Sequence, residues 1–265
     1  LAIVRISIGN LVLKNASADI RESNITSILR ISMERKVAIV TAASRGMGAA
    51  TARTLSAHGY ALALMSRSEA LDPLCGELNG LAVAGSVTDT DDLHRLVEVT
   101  MSRYGRIDAV VNNTGHPVGG DLLEISDDDW YGGLDLVLLN VVRMARLVTP
   151  LMAKQGGGAI VNISTFAAFE PSPAFPVSST LRAALGSFTK LYADRHASDG
   201  IRMNNVLPGF IDTYEIDEAT RAVIPMHRRG RVEEIAATIA FLLSPEAAYI
   251  TGQNLRVDGG LTRSV

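Results

Sequence analysis

Residues 36–41 form a short apolar run, Lys36-Val-Ala-Ile-Val-Thr41. It passes directly into Ala42-Ala-Ser-Arg-Gly-Met-Gly48 and then into the helical period Gly48-Ala-Ala-Thr-Ala-Arg-Thr-Leu55. A strand that ends in a glycine-bearing turn and opens a helix leaves free backbone N–H groups at the helix N-terminus, which suits a phosphate. Gly46 and Gly48 let the ligand approach the backbone, and Ser44 and Arg45 add side-chain donors. A turn of this kind needs a βαβ unit around it, and such units cross over right-handed.

The rest of the chain repeats that unit. Apolar runs rich in Val, Ile, Leu and Ala fall at 36–41, 60–65, 81–85, 108–112, 158–163, 201–207 and 254–257. Helical periods lie between them, at 46–58, 91–104, 127–153, 178–197 and 231–243. The runs are nearly continuous rather than alternating, as expected of parallel strands covered on both faces. They predict an α/β fold over residues 33–265: a single doubly wound parallel sheet with helices on both faces, of Rossmann type. Ligands of such sheets bind beyond the carboxyl ends of the strands, where the winding reverses.

Residues 1–32 do not share the pattern. Their apolar pieces, Ile3-Val-Arg-Ile-Ser-Ile8 and Leu11-Val-Leu13, are broken by Arg5, Asn10 and Lys14, so no signal-peptide centre is present. Met33 stands just before the first strand. The expectation is a leader that is disordered or not native to the domain, with an outer strand or helix as the alternative.

Bulk properties exclude several function classes. A net charge of −3 leaves no electrostatic footprint for nucleic acid or an anionic membrane. The single cysteine, Cys75, rules out an intrachain disulfide and a multi-cysteine metal site. Five scattered histidines without metal-ligand spacing predict no metal. No apolar run is read as reaching membrane-spanning length. A cytoplasmic protein with a small-molecule substrate is expected.

The second strand, Ala61-Leu-Ala-Leu-Met65, ends in Ser66-Arg67-Ser68. An NAD site places an acid there for the ribose 2′-hydroxyl. This chain offers Arg67, with Arg45 in the glycine turn, and two guanidinia suit a 2′-phosphate. NADP(H) is therefore expected in preference to NAD(H).

Over residues 34–260 the chain resembles the short-chain dehydrogenase/reductase family. Thr41-Ala-Ala-Ser-Arg-Gly-Met-Gly48 resembles that family's TGxxxGxG, with Ala42 at the first glycine, where little crowding is expected. Val111-Asn-Asn-Thr-Gly115 resembles its NNAG, Leu207-Pro-Gly-Phe-Ile-Asp-Thr213 its PGxIxT, and Tyr249-Ile-Thr-Gly-Gln-Asn-Leu-Arg-Val-Asp-Gly-Gly260 its last strand and turn. The resemblance implies hydride transfer between a nicotinamide and a carbonyl or alcohol. It implies cofactor contacts from Ala42, Ser44, Arg45, Gly46, Met47, Gly48, Arg67, Ser86, Val87, Asn113, Gly115, Arg182, Pro208, Gly209, Ile211 and Thr213. Ser86 stands where the family often has Asp near the adenine. A homodimer or homotetramer is implied as well, pairing the helices at 127–153 and 178–197.

The chemistry end departs from the family. A Tyr there exchanges the substrate proton, a Lys four residues on lowers its pKa, a Ser polarises the substrate oxygen, and an Asn in the preceding helix completes the relay. An ungapped register from Ile160-Val-Asn-Ile-Ser-Thr165 to Ala183-Ala-Leu185 puts Thr165 at the Ser, Ser178 at the Tyr and Arg182 at the Lys. The relay Asn falls on Val137, with Asn140 one turn on. Thr165 keeps a hydroxyl, but Ser178 cannot act as a phenol and Arg182 does not give up its proton. His116, after the Asn-Thr-Gly turn, is the candidate replacement and could move a proton with Glu170, but the preferred reading is that His116 is a loop residue and Glu170 a solvated rim charge. Tyr131 and Tyr192 are expected to pack. The implied function is an oxidoreductase with an altered proton relay acting on a small carbonyl, alcohol or activated double bond. The alternative is an inactive NADP(H)-binding sensor or partner subunit.

Overall fold

The computed structural model describes residues 35–68 and 70–264. The leader expected at 1–32 lies outside the described residues. All seven expected strands form: β1 Val37–Thr41, β2 Ala61–Ser66, β3 Leu81–Ala84, β4 Ala109–Asn112, β5 Gly158–Ile163, β6 Ile201–Pro208 and β7 Asn254–Val257. They make one sheet in the order β3-β2-β1-β4-β5-β6-β7, and every pairing is parallel. The winding reverses between β1 and β4, so the crevice for a ligand opens past Thr41 and Asn112.

The helices are α1 Gly46–Ala57, α2 Leu71–Leu78, α3 Thr90–Tyr104, α4 Asp127–Leu134, α5 Asn140–Lys154, α6 Pro176–His196, α7 Glu218–Val223 and α8 Val232–Leu243. Successive side chains of a strand point to opposite faces. Ala38 and Val40 of β1 accordingly join a core with Leu55 of α1 and Ile235 and Ile239 of α8. Ile39 joins the opposite core with Leu93 and Leu96 of α3 and Met144 and Val148 of α5. Burial on both faces explains why the strand sequences read as continuous apolar runs.

The region read as one helix at 127–153 is continuous but not uniform. Between α4 and α5 lies a π turn, Asp135–Leu139, in which the Asn140 N–H bonds the Asp135 carbonyl. Such a turn inserts one extra residue, and helices carry it mostly at functional sites. Arg143 holds it from the next turns through an ion pair to Asp135 at 2.6 Å. The whole stretch Asp127–Lys154 is long and apolar enough by composition to cross a membrane, which corrects the expectation that no run is. Its apolar face is spent on the sheet: Val141, Met144, Val148 and Met152 are buried there.

A row of amides crosses the sheet. Asn112, Asn162, Asn205 and Asn254 are register partners on β4, β5, β6 and β7. Asn112 Nδ2 donates to Asn162 Oδ1 at 2.8 Å, Asn162 Nδ2 to Asn205 Oδ1 at 2.8 Å, and Asn205 Nδ2 to Asn254 Oδ1 at 2.7 Å. Thr189 of α6 donates to Asn205 Oδ1 at 2.9 Å and accepts weakly from Asn162. Running four primary amides across a sheet, three of them buried, is tolerable only because each one pairs with the next.

Candidate active site

The glycine turn and the turn after β4 are tied together. Thr41 Oγ1 donates to the Asn113 carbonyl at 2.7 Å and accepts from the Asn113 N–H at 2.9 Å. Asn113 Nδ2 donates to the Ala42 carbonyl at 3.1 Å. Gly48 sits under this staple. A Cβ there would lie 2.5 Å from the Ala42 carbonyl oxygen and 2.8 Å from Asn113 Nδ2, so only glycine fits. Gly46 adopts φ +56, and a Cβ on it would meet Thr213 Cγ2 at 3.1 Å. The segment after β6 therefore reaches the glycine turn, as the motif spacing implies. Gly209 bonds Val257 and lies close to Asp258, while Ile211 bridges Gly230 at the approach to α8.

Helix α1 begins with no side-chain cap and no acid in its first turn. Its leading N–H groups are left for a ligand, and the dipole favours an anion there. Ser44 is positioned by a hydroxyl from Ser66 at 2.9 Å. Arg45 and Arg67 are both exposed, at the end of β1 and the end of β2 respectively. Ser86 takes the Asp92 carboxylate on its N–H at 2.8 Å and pairs its hydroxyl with Thr88. Val87 is buried beside it. Thr114 Oγ1, in the turn after β4, is buried with no partner. An unpaired buried hydroxyl costs about 1–3 kcal/mol, which a ligand contact removes. Turn, staple and open helix end together fit a dinucleotide.

At the other end of the crevice, α6 presents Ser178 and Arg182 one turn apart. Both are buried, Arg182 to 5 % exposure. Arg182 Nε donates to Ser178 Oγ at 3.3 Å and Nη1 to the Ile163 carbonyl at 2.5 Å. The guanidinium is thus braced between its own helix and the end of β5. Burial lowers its pKa to about 10, so it stays charged at neutral pH. Thr165 Oγ1 accepts a long 3.4 Å bond from the Ala167 N–H, which leaves its proton free to donate. Ser164 Oγ, one residue earlier, is buried without a partner. The loop after β4 and helix α4 lie against this end: Gly119 of the loop approaches the Ala174 carbonyl, and Gly133 of α4 packs on Val177 and Leu181 of α6.

Residues 41–262 match the family described as Enoyl-(Acyl carrier protein) reductase. The chain is 39% identical over 238 residues to a 3-oxoacyl-[acyl-carrier-protein] reductase from Synechocystis sp., covering 85% of this chain and 96% of the relative. It is 35% identical over 246 residues to the human dehydrogenase/reductase SDR family member 4, covering 86% and 88%. The chain belongs to the short-chain dehydrogenase/reductase family. Among solved members, L-sorbose reductase from Gluconobacter frateurii, in complex with NADPH and L-sorbose, superposes with a TM-score of 0.80 at 29% identity, covering 89% of this chain and 99% of that one. A blue fluorescent protein from a metagenomic library, in complex with NADPH, gives 0.82 at 30% identity, covering 86% and 98%.

Val137 lies inside the π turn, 1 % exposed, with no polar atom to offer. Asn140, one turn on, is buried with Nδ2 on the Leu136 carbonyl, and its Oδ1 has no partner. His116 is exposed at the rim. Desolvation on its packed side, and secondarily the Arg182 charge, lower its pKa below the ordinary 6.5, so it is neutral near pH 7 and accepts rather than donates.

Glu170 is not its partner. Glu170 Oε1 accepts the N–H groups of Arg263 and Ser264, each at 2.6 Å, and these bonds hold its carboxyl below the usual range. It anchors the C-terminal segment, which sets aside the alternative of a His116–Glu170 pair and corrects the expectation that Glu170 is a solvated rim charge. Tyr192 packs as expected, its hydroxyl 2.6 Å from Thr149. Tyr131 does not: it is 68 % exposed on α4. Ala42 is also less neutral than expected, because it sits at φ +46 in the left-handed region.

Proposed function

We propose that the protein is an NADP(H)-dependent oxidoreductase that transfers a hydride to or from a small carbonyl, alcohol or activated double bond, by a relay other than tyrosine and lysine. The observation that carries this reading is the stapled turn, where Gly48 has no room for a Cβ and Asn113 locks the turn to β4. Bound NADPH supplies the hydride. Gly46, Met47 and Gly48 would present backbone N–H groups to the diphosphate, with Ala42 and Ser44 shaping the turn. Arg45 and Arg67 would take the 2′-phosphate. Ser86 and Val87 would line the adenine, and Asn113, Gly115, Pro208, Gly209, Ile211 and Thr213 would flank the nicotinamide half.

In the catalytic cleft, Arg182 supplies a fixed positive charge where negative charge develops on the substrate. Thr165 and Ser178 offer hydroxyl groups, and His116 is a neutral acceptor at the rim. None of these matches a phenol as an acid near pH 7. An activated double bond asks least of that set, because its anion is delocalised before protonation. The test is NADPH consumption with ketones, enones and imines, run beside NADPH binding by fluorescence. Turnover of an enone or imine above that of ketones supports the reading, whereas binding with no turnover on any of them sinks it.

That second outcome would favour a non-enzymatic NADP(H) sensor. The observation on its side is Ser178, buried and spent as an acceptor for Arg182. The cytoplasm is the compartment proposed, consistent with a single buried Cys75 whose thiol is pushed up to about 11 by burial. A homodimer or homotetramer is proposed from the exposed apolar side chains Tyr131 and Leu191, which lie on the helices expected to pair. Light scattering that gave a monomer would argue against it.

A further inference from the structure

Arg182 is a buried cation without a counter-ion. Two of its five N–H groups are used, by the Ser178 hydroxyl and the Ile163 carbonyl, and both acceptors are neutral. No carboxylate pairs with it among the described residues. Nη2 has no acceptor and keeps a trace of solvent contact, although the residue as a whole is 5 % exposed. Burying a charge is costly unless an opposite charge or a full set of hydrogen bonds meets it.

In the family pattern, position 178 holds a phenol, which can ionise and face the cation. Here it holds an alcohol, which cannot. The hydroxyl groups of a nicotinamide ribose would absorb donors but carry no charge. The cofactor's diphosphate is taken by the glycine turn and the N-terminus of α1, so the compensating anion has to come from elsewhere.

We infer that the anion is a carboxylate on the substrate, held by the free edge of Arg182 between Ser178 and the turn that carries His116; this rests on the NADP(H) oxidoreductase reading of the same site. A planar guanidinium with Nη2 and one Nη1 hydrogen to spare matches the two oxygens of a carboxylate. One fixed charge balances a monoanion and leaves a phosphate dianion half compensated. His116 adds no second charge near pH 7, since desolvation and Arg182 itself keep it neutral. Directly after Thr165 comes an aromatic cluster: Phe166 packs tilted against Phe210 with ring centroids 5.4 Å apart, and Phe210 meets Tyr214 edge-on at 6.5 Å. The substrate class is therefore a small carboxylate with an apolar or aromatic body.

The test is calorimetric titration of the full chain, saturated with NADP+, by benzoate, benzamide and phenyl phosphate. Saturation with the cofactor keeps its own phosphate sites out of the measurement. Benzoate should bind at least about tenfold tighter than its neutral isostere benzamide, one full charge-assisted pair being worth that or more. Arg182→Met should erase the preference, and Arg182→Lys should keep part of it. If Arg182→Met does not fold, the wild-type comparison and Arg182→Lys still decide. Equal binding of benzoate and benzamide, a preference that survives in Arg182→Met, or tighter binding of phenyl phosphate would each overturn the inference. NADP+ binding is measured first and separately. Its failure counts against the oxidoreductase reading, and the benzoate and benzamide titrations on the cofactor-free protein then judge Arg182 alone.

Discussion

Breaking the amide row at Asn162 should destabilise the domain far more than breaking it at its edge. Asn162 is fully buried and makes three of the row's bonds: it accepts from Asn112 and donates to Asn205 and Thr189. Valine at this position suits a strand and introduces no new polar group. After Asn162→Val, Asn205 Oδ1 still receives the Thr189 hydroxyl at 2.9 Å, so it stays satisfied. Asn112 Nδ2 loses the acceptor it has among the described residues and is left buried. A stranded buried donor costs about 1–3 kcal/mol, so we expect a loss of about 2 kcal/mol. For a domain of this size that corresponds to a drop in Tm of about 4–8 °C.

Asn254→Val is the control. It strands Asn205 Nδ2; Asn205 is itself fully buried, but the lost acceptor belongs to half-buried Asn254 on the edge strand, a side from which water can reach the donor. Its cost should stay below about 1 kcal/mol. Differential scanning calorimetry reads both variants, with circular dichroism to show that the fold persists. NADPH affinity should change little in either, because Asn113 is fixed by Thr41 rather than by the row. Equal shifts in the two variants, or a shift under about 1 °C for Asn162→Val, would mean that the row is not a coupled network.

Ala42→Gly should raise Tm by about 1–3 °C, because it removes a left-handed alanine at about 1–2 kcal/mol, partly offset by the greater freedom of glycine in the unfolded chain; an unchanged or lower Tm refutes this. NADPH should bind about 10–100-fold tighter than NADH, and Arg67→Asp should invert the order, whereas equal wild-type affinities would remove the argument. His116 should titrate by NMR below 6.5 and move up in Arg182→Met. Because the folded state holds that proton less tightly than the unfolded chain, His116 should cost stability as pH falls below about 6.5 and nothing above it, so His116→Gln should blunt the acid loss. Restoring the family's groups together, by Val137→Asn, Ser178→Tyr and Arg182→Lys, should raise ketone reduction by about 10²–10⁴-fold, with Ser178→Tyr alone doing little. A folded, NADPH-binding triple variant with no gain would point to the sensor.

Most of the fold was legible because burial on both sheet faces makes apolar runs, and those runs place β1 to β7 within a residue or so. The elements that escaped have weak or shared signals. Helix α2, Leu71–Leu78, contains Pro73 and Gly76 and is short, and α7, Glu218–Val223, has no buried face to give it a period. The π turn is invisible to periodicity, since a single added residue hardly alters an apolar stripe. In the site, the motif residues Gly46, Gly48, Asn113 and Thr213 converge as their spacing implies. The amide row could have been found: with strand order known, Asn112, Asn162, Asn205 and Asn254 stand at matching positions. Glu170 could not, because its partners are backbone N–H groups some ninety residues away in sequence.

In the register expected from the sequence, Ser178 and Arg182 read as a single change in which the roles are exchanged. In the family pattern the cation at position 182 serves the residue at 178, by stabilising a phenolate that moves a proton. Here the hydroxyl of Ser178 accepts from Arg182 Nε, and the Ile163 carbonyl accepts from Nη1, so residue 178 has become part of the mount for residue 182. A lysine held by the same two acceptors would spend two of its three donors on one nitrogen and keep little free for a ligand. A guanidinium spends the equivalent donors and still presents an open nitrogen, and its charge survives the burial that lowers its pKa to about 10. An alcohol beside it is too weak an acid to neutralise it. On the proposed reading the pair binds and polarises an anion instead of shuttling a proton, and a reaction at this site would draw its proton from the hydroxyl groups and water around it.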